Sequence, residues 1–391
     1  MQASADVVVI GGGIVGAACA YTLCQAGLHV HLVERHFPAS GTSRACDGLV
    51  LAWDKSSPAE LSLARASAAL WSELAQTLEL DFEYARTGTV LVAENEAGVA
   101  YSQARVEAMQ AADIQAEPLD APGLRTLEPN LAPDLPGGAF FPEDAQLDPR
   151  RATLALLAAA RQRGLVLHPH AEVTAISRSA KDDGRVTGVI TPAGPIAAET
   201  VVCAAGAWSS RLAGLVGLEL PIRPRQGHIL VTAKAPGLIR HPLLEGGYAA
   251  TVQSAAEDLQ VALVAELTAG GTLLVGSSRQ FVGFDRRVSL PVMRAVAARA
   301  LRFLPALAGV SVIRSYAGLR PWSPDHLPLV GPVPEVPGFY LAAGHEGAGI
   351  GLAPITGRLI ADWILGAELP PFAREVRPER FGTLVDVAGS R

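Results

Sequence analysis

The sequence predicts an α/β fold in which a nucleotide-binding βαβ unit, assembled from separated segments, carries a second block built on an antiparallel sheet. Three observations predict it. The chain opens on an apolar, β-branched run from Val7 to Ile10 that breaks at Gly11, Gly13 and Gly16 in G-x-G-x-x-G spacing and passes into an apolar helical stretch. A strand ending in glycine returns at Ala198 to Trp208 and again at Phe339 to Gly351. Between these, from Leu220 to Arg320, short strand-like stretches are joined by loops.

Composition narrows the class. At 391 residues the chain exceeds what one hydrophobic core organises, so two domains are expected. A hydrophobic share of 49% with 18% charged residues belongs to a folded protein. No uninterrupted apolar run reaches the roughly 18 residues of a membrane span. The first residues enter a strand without a basic region or cleavage site, which reads as a cytoplasmic protein without a signal peptide. A net charge of −6 leaves no basic face for nucleic acid. The cysteines Cys19, Cys24, Cys46 and Cys203 form neither a metal spacing nor a disulfide framework, so no metal site is expected. Cys19 and Cys24 sit about 140° apart on a helix and read as packing residues.

Each position of the opening unit has a physical task. Gly11 permits the tight turn, Gly13 lets the backbone approach a pyrophosphate, and Gly16 allows helix and strand to pack closely. The helix start presents free N–H groups and a partial positive charge to phosphates. After the turn at Gly27 a second strand ends at Glu34, about twenty residues on, where a carboxylate meets a ribose hydroxyl. Both FAD and NAD satisfy this pattern.

The next elements follow in order. The stretch Ala39 to Gly48, with its small hydroxyl residues and glycines, suits close approach to phosphates or a ring system. Pro58 to Leu78 has helical periodicity, Phe82 to Ala93 reads as strands around Thr87-Gly88, and Gly98 to Ala112 is helical. The Pro- and Gly-rich segment Glu117 to Gly138 reads as a loop. A second organised block begins at Asp148-Pro149, with a helix from Arg150 to Arg163, a strand at Val166 to His168, and strands at Glu172 to Ile176 and Val186 to Ile190 around Asp183-Gly184. In the insert, Ile229 to Thr232, Val261 to Val264 and Leu273 to Val275 read as strands and Pro291 to Phe303 as a helix; Ile350 to Leu365 is the last helix.

Five stretches in this order resemble the FAD-dependent D-amino acid oxidase superfamily, which includes glycine oxidase, sarcosine oxidase and D-amino acid dehydrogenase. They are Gly11 to Glu34, Ala204 to Ser209, Gly276 to Asp285, Gly318 to Asp325 and Gly344 to Gly349. Within it, Ala45 to Gly48, Gly276 to Asp285 and His345 to Gly357 are most similar to the β subunits of heteromeric bacterial dehydrogenases for opines, proline and hydroxyproline. Single-subunit members often carry an apolar or small residue at the position of Glu346. The resemblance implies a Rossmann-like FAD-binding domain of glutathione-reductase type at residues 1–85, 146–219 and 325–391, and an antiparallel-sheet substrate domain at 86–145 and 220–324.

The resemblance further implies residue roles. FAD would be held by Gly11, Gly13, Ile14, Val15, Gly16, Glu34, Arg35, Thr42, Ser43, Cys46, Asp47, Val173, Ala205, Gly206, Trp208, Gly318, Arg320, Gly344, Gly347, Ala348, Gly349 and Ile350. Arg320 would also clamp the substrate carboxylate, because a guanidinium makes two parallel charge-assisted bonds to a planar anion. Tyr248 stands where relatives place a carboxylate-binding tyrosine, although its flanks Gly246, Gly247 and Ala249 depart from their pattern. His345 would border the ring face, and the turn Gly347 to Gly351 would stabilise charge developing at flavin N1 and C2=O. His228 reads as a histidine hydrogen-bonded in place. Trp53, Trp322 and Phe281 are candidates for pocket or core.

The expected activity is FAD-dependent oxidation of a secondary or N-substituted amino acid, with α and small γ-type partner subunits, an FMN or iron–sulfur centre at or beyond their interface, and peripheral electron transfer towards a quinone chain. This chain lacks the cysteine spacing of an iron–sulfur site. The alternative is a self-sufficient glycine, sarcosine or D-amino acid oxidase. A flavin or disulfide reductase would need a second dinucleotide motif and a reactive cysteine pair, and neither is present.

Overall fold

Val7 to Ile10, all sealed from solvent, form the inner half of the central strand of an eight-stranded sheet. The computed structural model describes residues 3–181, 183–248 and 254–384. Ala249 beside Tyr248, and residues 385–391, lie outside the described residues. The strands are β1 (Ala3–Ile10), β2 (Val30–Val33), β3 (Leu49–Val50), β4 (Thr89–Ala93), β5 (Glu117–Asp120) and β6 (Gly137–Phe141). They continue with β7 (Ala145–Gln146), β8 (Val166–His168), β9 (Ala175–Arg178), β10 (Val186–Thr191), β11 (Gly194–Cys203) and β12 (Arg223–Lys234). The last are β13 (Leu243–Glu245), β14 (Gln260–Leu267), β15 (Thr272–Arg279), β16 (Val312–Trp322), β17 (Leu329–Pro332) and β18 (Phe339–Ala343). The helices are α1 (Ile14–Gln25), α2 (Pro58–Thr77), α3 (Glu96–Ala111), α4 (Ala121–Leu127), α5 (Pro149–Gln162), α6 (Ser209–Gly214), α7 (Leu290–Phe303) and α8 (Gly349–Leu365).

The first sheet runs β17-β18-β11-β1-β2-β8, and the β18, β11, β1, β2 and β8 pairings are all parallel. Their carboxyl ends, at Ala343, Cys203, Ile10 and Val33, therefore open on one edge, where ligands of open α/β sheets bind. The start of β11 pairs instead with the antiparallel hairpin β9-β10. Helices α1 and α8 cover one face through Ala17, Leu23, Leu359 and Ile360, packed on Val7, Val9 and Leu32. Gly11 has φ +112°, and a Cβ on Gly16 would sit 1.9 Å from the Gly11 carbonyl oxygen, so both turn and helix contact require glycine.

The second sheet runs β16-β12-β15-β14-β13-β4-β6-β5. It is antiparallel throughout except where β13 lies parallel to β4, Leu243 opposite Val90. Helix α7 covers one face with Val296, Ala300 and Phe303 against Leu263 and Val275. Trp53 and Phe141 stack on the other face at a centroid distance of 5.3 Å.

Several expectations need correction. The segment Glu117 to Gly138 is not a loop: it holds β5 and α4, because Asp120 caps the helix by accepting the Gly123 N–H at 2.7 Å. Of Phe82 to Ala93, only Thr89–Ala93 is strand; the preceding residues make a single bridge, Ala85 to Gln146 of β7, which pairs with β3 in a separate two-stranded sheet. The strand expected at Glu172 to Ile176 lies instead at Ala175–Arg178. Although no unbroken apolar run reaches membrane-span length, the helical segment Glu346–Leu365 has the length and apolarity to cross a bilayer. In this fold more than half of its most apolar stretch is buried, and it packs between α1 and α2. Cys19 and Cys24 are both buried in the core cluster of the first sheet, as packing residues.

Candidate active site

The carboxyl edge of the first sheet and the β12–β16 end of the second enclose an elongated cavity of about 1660 Å³, solvent at its mouth included. At one end it is lined by Gly11, Gly13, Ile14, Val15, Glu34, Arg35, Thr42, Ser43, Val173, Ala205, Gly206 and Trp208. The Glu34 carboxylate accepts the N–H groups of Gly12 at 2.8 Å and His36 at 2.9 Å, which holds it where β2 ends. Ser43 Oγ accepts the Ile14 N–H at 3.0 Å and closes the first turn of α1, while the Thr42 hydroxyl donates to the Leu319 carbonyl at 2.6 Å and ties this loop to β16. A loop from the second sheet also reaches this end: Phe284 packs on Trp208, with the guanidinium of Arg35 4.1 Å from the Trp208 ring and that of Arg211 3.8 Å from Phe284.

The opposite end is lined by Cys46, Asp47, Tyr248, Gly318, Arg320, His345, Gly347, Gly349 and Ile350. Arg320 donates from Nη1 to the Ser278 carbonyl at 2.9 Å and lies across Gly227, where a Cβ would come within 2.1 Å of that nitrogen. Burial, and next the neighbouring Arg279, bring its guanidinium down to about 10, so it remains a cation at neutral pH. Arg279, itself 1% exposed, stands 4.7 Å over the Tyr248 ring. Burial raises the Asp47 carboxyl, opposed by Arg320 and Arg279.

His345 is sealed in, and burial lowers its pKa to about 3. Thr356 donates its hydroxyl proton to the Leu352 carbonyl at 2.8 Å, so His345 Nε2 must donate to Thr356 Oγ1 at 2.9 Å. The imidazole is a neutral wall residue. The turn it opens is fixed from behind by α2, where Trp71 Nε1 donates to the Ile350 carbonyl at 3.0 Å and Ser67 Oγ to that of Gly351 at 2.6 Å.

Gly16, Gly344 and Ala348 do not line this cavity. Gly16 packs on the Gly11 carbonyl, the Gly344 carbonyl accepts from Ser323 Oγ at 3.2 Å, and Ala348 lines a smaller neighbouring cavity. His228 is held in place: its backbone N–H donates to Ser278 Oγ, and its Nε2 accepts the Ser289 N–H at 3.1 Å. Trp53 is core, and Trp322 packs edge-on against Phe281, 5.3 Å away.

Sequence reasoning missed Arg225, Arg279, Gly227 and the partners of Glu346. Glu346, at φ 45°, accepts from Arg225 Nη1 at 2.7 Å and from His326 Nδ1 at 2.9 Å. Burial alone would raise its carboxyl, yet the hydrogen bond from His326 and the charges of Arg279 and Arg225 hold it below its ordinary value. No local motif marks these partners.

A family model described as FAD dependent oxidoreductase matches residues 6–363. The hydrogen cyanide synthase subunit HcnC of Pseudomonas aeruginosa is 32% identical, over 97% of this chain and 98% of that one. The crystal structure of glycine oxidase from Geobacillus kaustophilus superposes with a TM-score of 0.87 at 28% identity, covering 97% of this chain and 99% of that one. Iminodiacetate oxidase from Chelativorans sp. BNC1 gives a TM-score of 0.81 at 26% identity, over 93% and 97% of the two chains.

Proposed function

The chain belongs to the FAD dependent oxidoreductase (DAO) family, and on that premise we propose that it oxidises the C–N bond of a secondary or N-substituted amino acid of opine, proline or hydroxyproline type. The cavity residues fit FAD. Glu34 stands at the end of β2 for the adenosine ribose, the first turn of α1 from Gly13 to Val15 for the pyrophosphate, and the turn Gly347 to Ile350 for the ring system. Bound FAD supplies the hydride acceptor, at N5 of its ring.

The single observation that carries the reading is Arg320, a partly buried cation on the wall of the end opposite Glu34, pinned by Ser278 and cleared by Gly227. Arg320 binds the substrate carboxylate and, with Tyr248, orients the Cα–H towards the ring. His345, neutral and locked to Thr356, excludes water from that end without exchanging a proton. A secondary amine is supported by the similarity to iminodiacetate oxidase and by the stretches Ala45 to Gly48 and His345 to Gly357.

We further propose that the chain works as the catalytic subunit of a heteromeric dehydrogenase, a reading supported by its similarity to a synthase subunit along nearly its whole length. Similarity to glycine oxidase supports a second reading, a self-sufficient oxidase. Purified alone, the chain is expected to carry FAD and to lose its flavin absorbance anaerobically with secondary amino acids. Vigorous peroxide formation in air without partners would overturn the subunit reading; no bleaching by any secondary amino acid would overturn the substrate.

A further inference from the structure

Four carboxylates line the main cavity: Glu34, Asp47, Glu172 and Glu346. Glu34 is held by backbone N–H groups at the α1 end, and Glu172 stands with it near Arg35. Glu346 spends its two oxygens on Arg225 and His326. Asp47 differs. It lies at the Arg320 end, and with Tyr248 and Gly347 it also lines a smaller, more polar cavity whose other wall holds the Asp54–Lys55 ion pair, 2.8 Å apart. Asp47 therefore sits at the junction of the two spaces, beside the cation proposed to hold the substrate carboxylate.

We propose that Asp47 is the catalytic residue that receives the substrate's ammonium group and takes its proton, while Arg320 holds the carboxylate. This rests on the reading of the site as an amino acid oxidising centre. An α-ammonium has no lone pair with which to expel a hydride, so a proton must leave first. The N–H bond breaks with its electron pair left on nitrogen, and the proton passes to an Asp47 oxygen. The nitrogen lone pair is then free to form the C=N bond as the Cα–H electron pair leaves, for which bound FAD would be the two-electron acceptor. The smaller cavity gives Asp47 a second open face, on the side of Asp54, through which the proton leaves.

The surroundings suit a proton acceptor. Burial raises the Asp47 carboxyl, and the charges of Arg320 from β16 and Arg279 from β15, with backbone hydrogen bonds from Asp47 and Leu49, oppose that rise. Behind it, Glu266 of β14 accepts the Gly48 N–H at 2.8 Å, and burial with the adjacent Asp47 charge pushes it up to about 8. Glu266 is thus the carboxyl of this pair that burial pushes towards its protonated form. Cys46 and Tyr316, both shifted up by burial, add no charge, and Asp148 acts on both Glu266 and Cys46.

The test compares wild type with Asp47→Asn in the FAD-loaded protein, with FAD content measured for both. A saturated monocarboxylate without nitrogen is titrated by its perturbation of the flavin spectrum, and anaerobic bleaching by a secondary amino acid is followed across pH. The expected result is a carboxylate affinity unchanged within about threefold, with bleaching slowed by about 100-fold at pH 7. The gap should narrow as pH rises and free amine accumulates, and Asp47→Glu should recover part of the rate. Equal weakening of both ligands, an unchanged rate, or loss of FAD from Asp47→Asn would overturn the assignment, the last by making Asp47 a cofactor residue. Failure of every amine to bleach the wild type would instead overturn the proposed function, and the role of Asp47 with it.

Discussion

Arg225 Nη1 lies 2.7 Å from Glu346 Oε1, with the two side chains 0% and 4% exposed. Arg225 comes from β12 and Glu346 from the glycine turn before α8, so this pair joins the second sheet to the turn at the end of the first. His326 completes the group from the other carboxylate oxygen.

Removing one partner of such a pair leaves a buried charge without its counter-ion, at a cost of about 3–5 kcal/mol. Arg225→Met is therefore expected to lower unfolding stability by that amount in urea titrations. A loss below about 1 kcal/mol would mean that the turn relaxes to hydrate Glu346.

Glu266 makes stability depend on pH in a defined window. Its folded pKa of about 8 lies above the ordinary 4.5, so between those values the folded state holds a proton that the unfolded chain has released. Its contribution to stability therefore falls as pH rises from about 4.5 to about 8 and is level outside that range. Glu266→Gln, whose amide oxygen can still accept the Gly48 N–H, is expected to gain on the wild type progressively across this window. Parallel stability curves for the two proteins would refute it.

Arg320→Lys keeps a cation but loses the planar fork. Half-saturation of flavin bleaching by the amino acid is expected to rise by about 10-fold or more, with FAD content unchanged, since one charge-assisted hydrogen bond is worth about 1.5–3 kcal/mol. An unchanged half-saturation would move the carboxylate site elsewhere.

Gly16→Ala sets a methyl group 1.9 Å from the Gly11 carbonyl oxygen, a backbone atom that cannot swing aside. The purified variant is expected to carry little FAD and to melt at lower temperature, because displacing Gly11 disturbs both the turn and its contact with Ala204. Gly27→Ala, at a glycine with open space around it but φ +86°, is the control: strain from φ alone, without loss of FAD.

Much of the first sheet was legible because its signals are local. A buried parallel strand needs an unbroken apolar run, a tight turn needs glycine, and the helix after it needs an apolar face, all within about thirty residues. That is why β1, α1, β2, β11 and β18 follow from the letters alone, and why residues named at their ends line the cavity. The loop expected at Glu117 to Gly138 failed for the opposite reason. Its Pro and Gly content suggested irregularity, while the Asp120 cap and pairing to β6 built a helix and a strand.

What sequence could not supply is which distant segments meet. Arg225 and Glu346 are 121 positions apart, Thr42 and Leu319 are 277, and Ser67 and Gly351 are 284. Such contacts depend on the crossing of whole elements, so no window of residues encodes them. Glycine spacing and apolar periodicity dictated a nucleotide fold and the ends of its strands. Only packing the two sheets together placed Asp47 between two cavities, tied up Glu346 and cleared a path for Arg320 across Gly227, because burial and charge pairing are properties of neighbours in space.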